Sequence, residues 1–225
     1  VEIRFTSSPH PSKTALRVMD ATVDVSWRGQ MRVMETYDKQ NGCDLVCFGE
    51  VVARDPFLLM GRMPKPDFAL AEIVEAPKAG TVDVIQLFEP FQPAAGRGQR
   101  TCLMRGGAPR SDLLHLLLRA TLVARGPELL RLVQAIDRTE KWVAMADTIR
   151  GFFTDVPAEI LAAACTRYQA LAIWGKTPIL PRAGYDRLRD GLVSGGFVSP
   201  GTDFEVGVDN SLAEEVIALD LPMLA

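Results

Sequence analysis

The sequence has no apolar run approaching the roughly 20 residues that a membrane-spanning helix needs. Its most leucine-rich stretch, residues 113–123, is interrupted by His115 and Arg119. Basic residues are not clustered: 25 Lys and Arg stand against 28 Asp and Glu, a net charge of -3, which offers nucleic acid no footprint. Histidine is scarce. His10 lies in a proline-flanked turn and His115 in the leucine-rich run; neither setting suggests a nucleophile–base dyad, and core or surface placement is expected for both. The four cysteines, Cys43, Cys47, Cys102 and Cys165, form no Cys-x-x-Cys pair. On a strand, Cys43 and Cys47 would share a face about 13 Å apart, too far for a disulfide, so buried free thiols are expected rather than a zinc site. Gly96-Arg97-Gly98 lacks the strand–turn–helix setting of a phosphate loop. The opening Val1-Glu2-Ile3-Arg4 is not a signal-peptide pattern. The chain is therefore expected to carry no catalytic residue, no cofactor and no metal.

What is present is an ordinary globular composition, 48% apolar and 24% charged over 225 residues, enough for one large domain or two lobes with sizeable cores. The organising stretch is Thr81-Val82-Asp83-Val84-Ile85-Gln86-Leu87-Phe88-Glu89-Pro90. Its β-branched core predicts a buried strand. Pro90 cannot donate to a ladder and ends it, leaving Phe88 and Glu89 where the strand stops. The same Thr-Val-Asp-Val occurs at residues 22–25, followed by Ser26-Trp27-Arg28-Gly29. The recurrence predicts two related helix–turn–strand units, one in each half of a two-lobed α/β protein, with Trp27 facing Phe88 and Glu89 across a cleft.

Along the chain, residues 1–6 alternate apolar and charged and read as a strand. Ser12 is a plausible N-cap for a helix with Ala15, Leu16 and Met19 on one side, and residues 22–27 form the first repeat strand. Met31, Val33, Met34 and Tyr37 predict a helix ending near Asn41-Gly42. Residues 43–52, apolar but for Asp44 and Glu50, fit a strand buried on both faces. A turn at Arg54-Asp55-Pro56 leads to a strand over residues 57–60, and residues 69–76 could form a short helix. A loop runs to Arg100, then a short strand over residues 101–105. Residues 113–123 suit helix and strand equally. Helices then start at Pro127, Pro157 and Pro181, the third stopped by Gly195-Gly196, and a last one spans residues 211–218.

Several of these stretches together resemble the substrate-binding proteins of ABC importers, in the group for thiamine-pyrimidine precursors, nitrate, taurine and alkane sulfonates. They are Asp24-Val25-Ser26-Trp27-x-Gly29, Met31-Arg32-Val33-Met34, Cys43-Asp44-Leu45-Val46-Cys47-Phe48 with Glu50-Val51-Val52, and Arg54-Asp55-Pro56-Phe57. Further matches are residues 82–91, Arg138-Thr139-x-Lys141-Trp142, Tyr168-x-Ala170-Leu171-x-Ile173-Trp174-Gly175, Pro178-x-Leu180-Pro181-Arg182-Ala183-Gly184 and Val208-Asp209-Asn210. The resemblance implies a type II periplasmic-binding-protein-like α/β fold, a small-molecule ligand, a membrane permease as partner and a periplasmic location. It implies one lobe from residues 1–66 and 126–225, helical in its C-terminal part, and a second from residues 67–125.

The chain departs from the family in two places. Residues 68–80 are too few for the strand–helix–strand unit that relatives carry there, so the second lobe is expected to be shortened and to favour pairing of two copies. Relatives carry Gly-Gly-Pro where this chain has Arg28-Gly29-Gln30. The expected ligand site is Trp27, Arg28, Gly29 and Glu50 from one lobe with Phe88 and Glu89 from the other. Trp27 and Phe88 would offer faces to a flat or amphipathic ligand, and the carboxylates would accept from an amino group. Alternative readings are a sensing or interaction domain, a homologue that no longer binds, and an iron- and histidine-dependent thiamine-pyrimidine synthase. For the last, no histidine stands in a matching position.

Overall fold

The computed structural model describes residues 2–8, 10, 13–61, 84–87, 101–105, 109–143 and 149–224. In chain order its elements are α1 (Thr14–Met19), β1 (Ser26–Arg28), α2 (Met31–Lys39), β2 (Leu45–Arg54), β3 (Leu58–Gly61), β4 (Val84–Leu87), β5 (Thr101–Arg105) and β6 (Pro109–Leu118). There follow α3 (Arg119–Ala124), α4 (Gly126–Val143), α5 (Ala158–Ala170), α6 (Arg182–Ser194), α7 (Phe204–Gly207) and α8 (Ser211–Ala218). No helix among the described residues is long and apolar enough to cross a membrane.

Two compact units divide the chain. The larger is Val1–Ala53, Pro109–Ala144 and Trp174–Ala225; the smaller is Arg54–Ala108 and Met145–Ile173. The division differs from the boundaries expected at 66/67 and 125/126. β6 lies in the larger unit because it is the central strand of that unit's sheet, whose order is β1-β6-β2. Residues 145–173, expected in the first lobe, belong to the smaller unit.

The larger unit is a three-layer sandwich, and the residue pattern of β2 shows why. Leu45 and Cys47 pack with Val18, Val33, Met34 and Tyr185 on one side of the sheet. Val46 and Phe48 pack with Leu129, Val133, Ala213 and Val216 on the other. β6 does the same, with Leu116 in the first cluster and Leu117 in the second. A strand covered on both faces has no polar face to show, hence the continuous apolar run. Each fully buried large side chain contributes roughly 1.5–3 kcal/mol of transfer free energy.

Close packing at Tyr185 depends on a glycine. Tyr185 is fully buried and its hydroxyl donates to the Thr202 carbonyl at 3.2 Å. A Cβ at Gly207 would collide with that hydroxyl. Gly207→Ala is therefore expected to destabilise the chain by roughly 1–3 kcal/mol through overpacking. A urea midpoint matching that of the unmodified chain would contradict this packing.

The smaller unit holds a separate sheet, β4-β3-β5, with both pairs antiparallel and an irregularity in the β3–β5 register between Leu59 and Met60. Within this unit Tyr168 of α5 donates to the Pro56 carbonyl at 3.2 Å, and the Arg54 amide donates to the Ile173 carbonyl at 3.3 Å.

Several local expectations are corrected. Residues 2–8 form no strand: no ladder partner exists for them among the described residues, and an unpaired strand leaves its backbone groups to water. The first repeat copy is mostly turn. Asp20 Oδ1 accepts from the Thr22 amide at 3.0 Å and Ala21 sits at φ 56°, so the ladder begins only at Ser26. α1 starts from Lys13 without a side-chain cap, and Ser12, the expected cap, lies outside the described residues. The ambiguous run divides at Leu118/Arg119. There the Asp44 carbonyl accepts from the Arg119 amide at 2.8 Å and its carboxylate from the Ala120 amide at 3.1 Å, which starts α3. In the second repeat, β4 covers Val84–Leu87 of the strand expected over residues 82–88, and the rest of that stretch lies outside the described residues. The expected helix over residues 69–76, and Phe88 and Glu89, lie outside the described residues.

Candidate functional site

The site builds up from the short strand β1. β1 pairs antiparallel with β6, placing Trp27 opposite His115 and Arg28 opposite Leu114. Directly opposed residues share a face, and the two rings stack at 6.4 Å between centroids, 12° from parallel. Trp27 remains 57% exposed. On its other side the His115 ring meets Phe48 of β2 at 5.8 Å, tilted by 59°. His115 Nδ1 is buried without a hydrogen-bond partner. Burial pushes the imidazole pKa down to about 4, opposed by the nearby Gly49 backbone. The ring is thus neutral at pH 7, a flat apolar support beneath the indole.

Gly49 joins this aromatic end to α4. A Cβ there would lie 3.6 Å from Ile136 Cδ1 and 3.9 Å from His115 Nδ1. One turn further along α4 the same face turns acidic. Leu129, Val133 and Ile136 set a 4-3 spacing that continues to position 140, so Glu140 stands on the apolar stripe, beside Asp137. Glu140 is 4% exposed, and neither carboxylate oxygen has a hydrogen-bond partner among the described residues. Burial pushes its pKa up to about 9, reinforced by the charges of Glu50 and Asp137 and opposed by Lys141. Asp137 is fully buried; its Oδ2 accepts from Lys141 Nζ at 2.8 Å, while Oδ1 has no partner. The Lys141 ammonium is also held by the Leu221 carbonyl at 2.9 Å.

The loop after Ile173 completes the acidic end. Trp174 bridges Val52, Gly175 donates to the Val51 carbonyl at 3.2 Å, and the Glu50 amide donates to the Pro178 carbonyl at 2.9 Å. This lays the loop along the far half of β2. A Cβ at Gly175 would stand 2.8 Å from Glu140 Oε1, so any other residue there would push against the carboxylate. Glu50 is itself 3% exposed, not a solvated strand-end charge.

Of the residues expected at the site, Trp27, Arg28, Gly29 and Glu50 all lie in the larger unit. β1 and β2 carry Trp27, Arg28 and Glu50, with β6 between the two strands. Arg28 is half-buried with Nε unpartnered. Gly29 offers its carbonyl to the Arg32 amide at 3.1 Å at the start of α2. Sequence reasoning expected His115 in the core or on the surface and gave it no part in the site, and it did not single out Asp137 or Glu140. Glu140 carried a readable signal, an acid falling on an apolar stripe. His115 carried none, since a leucine-rich run gives no register until its partner strand is known.

No family model matches the sequence, and no curated protein matches it. Solved structures do match in fold. A protein from Bordetella bronchiseptica RB50 superposes with a TM-score of 0.67 at 13% identity, covering 93% of this chain and 85% of that one. The ligand-binding component of an ABC-type import system from Staphylococcus aureus, described with zinc bound, gives 0.59 at 13% identity, over 89% and 83%. The alkanesulfonate-binding protein SsuA from Xanthomonas axonopodis pv. citri, bound to MOPS, gives 0.58 at 12% identity, over 93% and 85%. The chain has the periplasmic-binding-protein-like fold of ABC-importer solute-binding proteins.

Proposed function

We propose that this chain is the solute-binding component of an ABC importer, capturing a small molecule and performing no chemistry on it. The observation that carries the reading is the half-exposed Trp27 laid over a half-buried, neutral His115 at a strand end, in a fold shared with import-system binding proteins. An indole face open to solvent over a flat ring is a ready stacking surface for a ligand ring. In this reading the solute is flat or amphipathic and rests on Trp27, with Arg28, Gly29 and Glu50 around it. A thiamine-pyrimidine precursor, a sulfonate, taurine and nitrate are the solutes to try. The loaded protein would then dock on a membrane permease from the periplasmic side.

Calorimetric titration with aminopyrimidines, sulfonates and riboflavin-like compounds tests the reading. One class should bind, and Trp27→Ala should weaken it roughly 10- to 100-fold, the effect of removing a buried aromatic anchor. Binding that is indifferent to Trp27→Ala would contradict the proposed site. Silence across the panel would contradict the role.

A further inference from the structure

The acidic end of the site is chemically incomplete as it stands. A buried carboxylate is ordinarily paired or satisfied by several hydrogen bonds. Among the described residues Glu140 has neither oxygen satisfied, and Asp137 one of two. Two elements supply the acids, β2 with Glu50 and α4 with Asp137 and Glu140. The charged groups acting on Glu140 are Glu50, Asp137 and Lys141. The Lys141 ammonium is already held by Asp137 and the Leu221 carbonyl. Among the described residues no three His, Cys, Asp or Glu side chains converge as metal ligands. A group that brings N–H donors of its own would complete the two acids.

We infer that Glu140, flanked by Asp137 and Glu50, is the recognition point for a cationic nitrogen group on the captured solute: a primary ammonium, an amidinium or a guanidinium. The inference rests on the proposed solute-binding role and narrows it. An amidinium or guanidinium donates two parallel N–H bonds to one carboxylate. Gly175 keeps the Glu140 carboxylate free of a side chain that would otherwise press on it. The negative charges of Glu50 and Asp137 beside it disfavour a sulfonate or nitrate, since like charges brought together in a poorly solvated site are strongly unfavourable. Because burial holds the proton on Glu140 up to about pH 9, capture of a cation at pH 7 displaces that proton to the buffer.

The test uses three phenyl probes that share a ring and differ in charge: benzamidinium, benzyl alcohol and benzenesulfonate. Benzamidinium should bind at least tenfold more tightly than benzenesulfonate. Titrations at pH 7 in buffers of different ionisation enthalpy should report about one proton released per benzamidinium, and its affinity should rise with pH up to about pH 9. Glu140→Gln should weaken benzamidinium at least tenfold, abolish the proton release, and leave benzyl alcohol within about twofold. If Glu140→Gln does not fold, proton release and pH dependence in the unmodified chain decide the matter. Tighter binding of benzenesulfonate, or benzamidinium binding without proton release, overturns the inference and leaves the solute-binding role standing. Failure of all three probes counts against both.

Discussion

Between pH 6.5 and 9 the Glu140→Gln variant is expected to hold its unfolding free energy while the unmodified chain steadily loses stability. Burial, with help from Glu50 and Asp137, raises the Glu140 pKa from 4.5 to about 9. The folded chain therefore keeps a proton that the unfolded chain gives up. Over that interval the native state binds more protons, so stability falls as pH rises and the loss is complete above the folded-state pKa. The slope is at most about 1.4 kcal/mol per pH unit, which accumulates to a few kcal/mol across the window. His115 acts in the opposite sense lower down. Its pKa is lowered from 6.5 to about 4, so its contribution is lost as pH falls from 6.5 toward 4. The two effects oppose each other in mild acid, and of the pair only Glu140 titrates above pH 6.5. Urea denaturation of both proteins at half-unit steps makes the comparison. Parallel profiles would show that Glu140 does not keep its proton on folding.

Phe48→Ala should be the most damaging single truncation near the site, costing roughly 3–5 kcal/mol. Phe48 is fully buried in the cluster that joins β2 and β6 to α4 and α8, and its ring also walls in His115. Core packing and the aromatic platform thus share one side chain. Removing the ring leaves a cavity and admits water beside the imidazole. The His115 midpoint, followed by its ring protons in NMR, should then move from about 4 up toward 6.5. Phe48→Leu fills most of the volume and should cost much less while leaving His115 depressed. A Phe48→Ala variant within 1 kcal/mol of the unmodified chain, with His115 still titrating near 4, would mean that Phe48 neither supports the core nor shields the histidine.

The sequence was most readable where one physical cause acted alone. Residues 43–52 are apolar because both faces are covered, and β2 follows. Pro127 and Glu128 mark the start of α4, and Ser211 to Ala218 form a helix as the pattern requires. Reading failed where local chemistry competed with propensity. The Asp20–Thr22 hydrogen bond bends a β-branched segment out of the ladder. Asp44 turns a uniform leucine run from strand into helix at Arg119. The site was half legible for the same reason. Trp27 and Glu50 stand out because an aromatic at a strand end and an acid in an apolar strand are each conspicuous. His115 becomes visible only through the β1–β6 register. Glu140 becomes visible only once the burial of α4 and the course of the Gly175 loop are known.

The acidic end of the site is the feature that core packing alone does not explain. Its most direct probe is the carboxyl carbon resonance of Glu140, assigned by comparison with Glu140→Gln and followed from pH 4 to 10. A midpoint near 9 means a buried acid waiting for a partner. A midpoint near 4.5, the value of a freely hydrated glutamate, would mean that Glu140 is solvated and that the proposed recognition point does not exist.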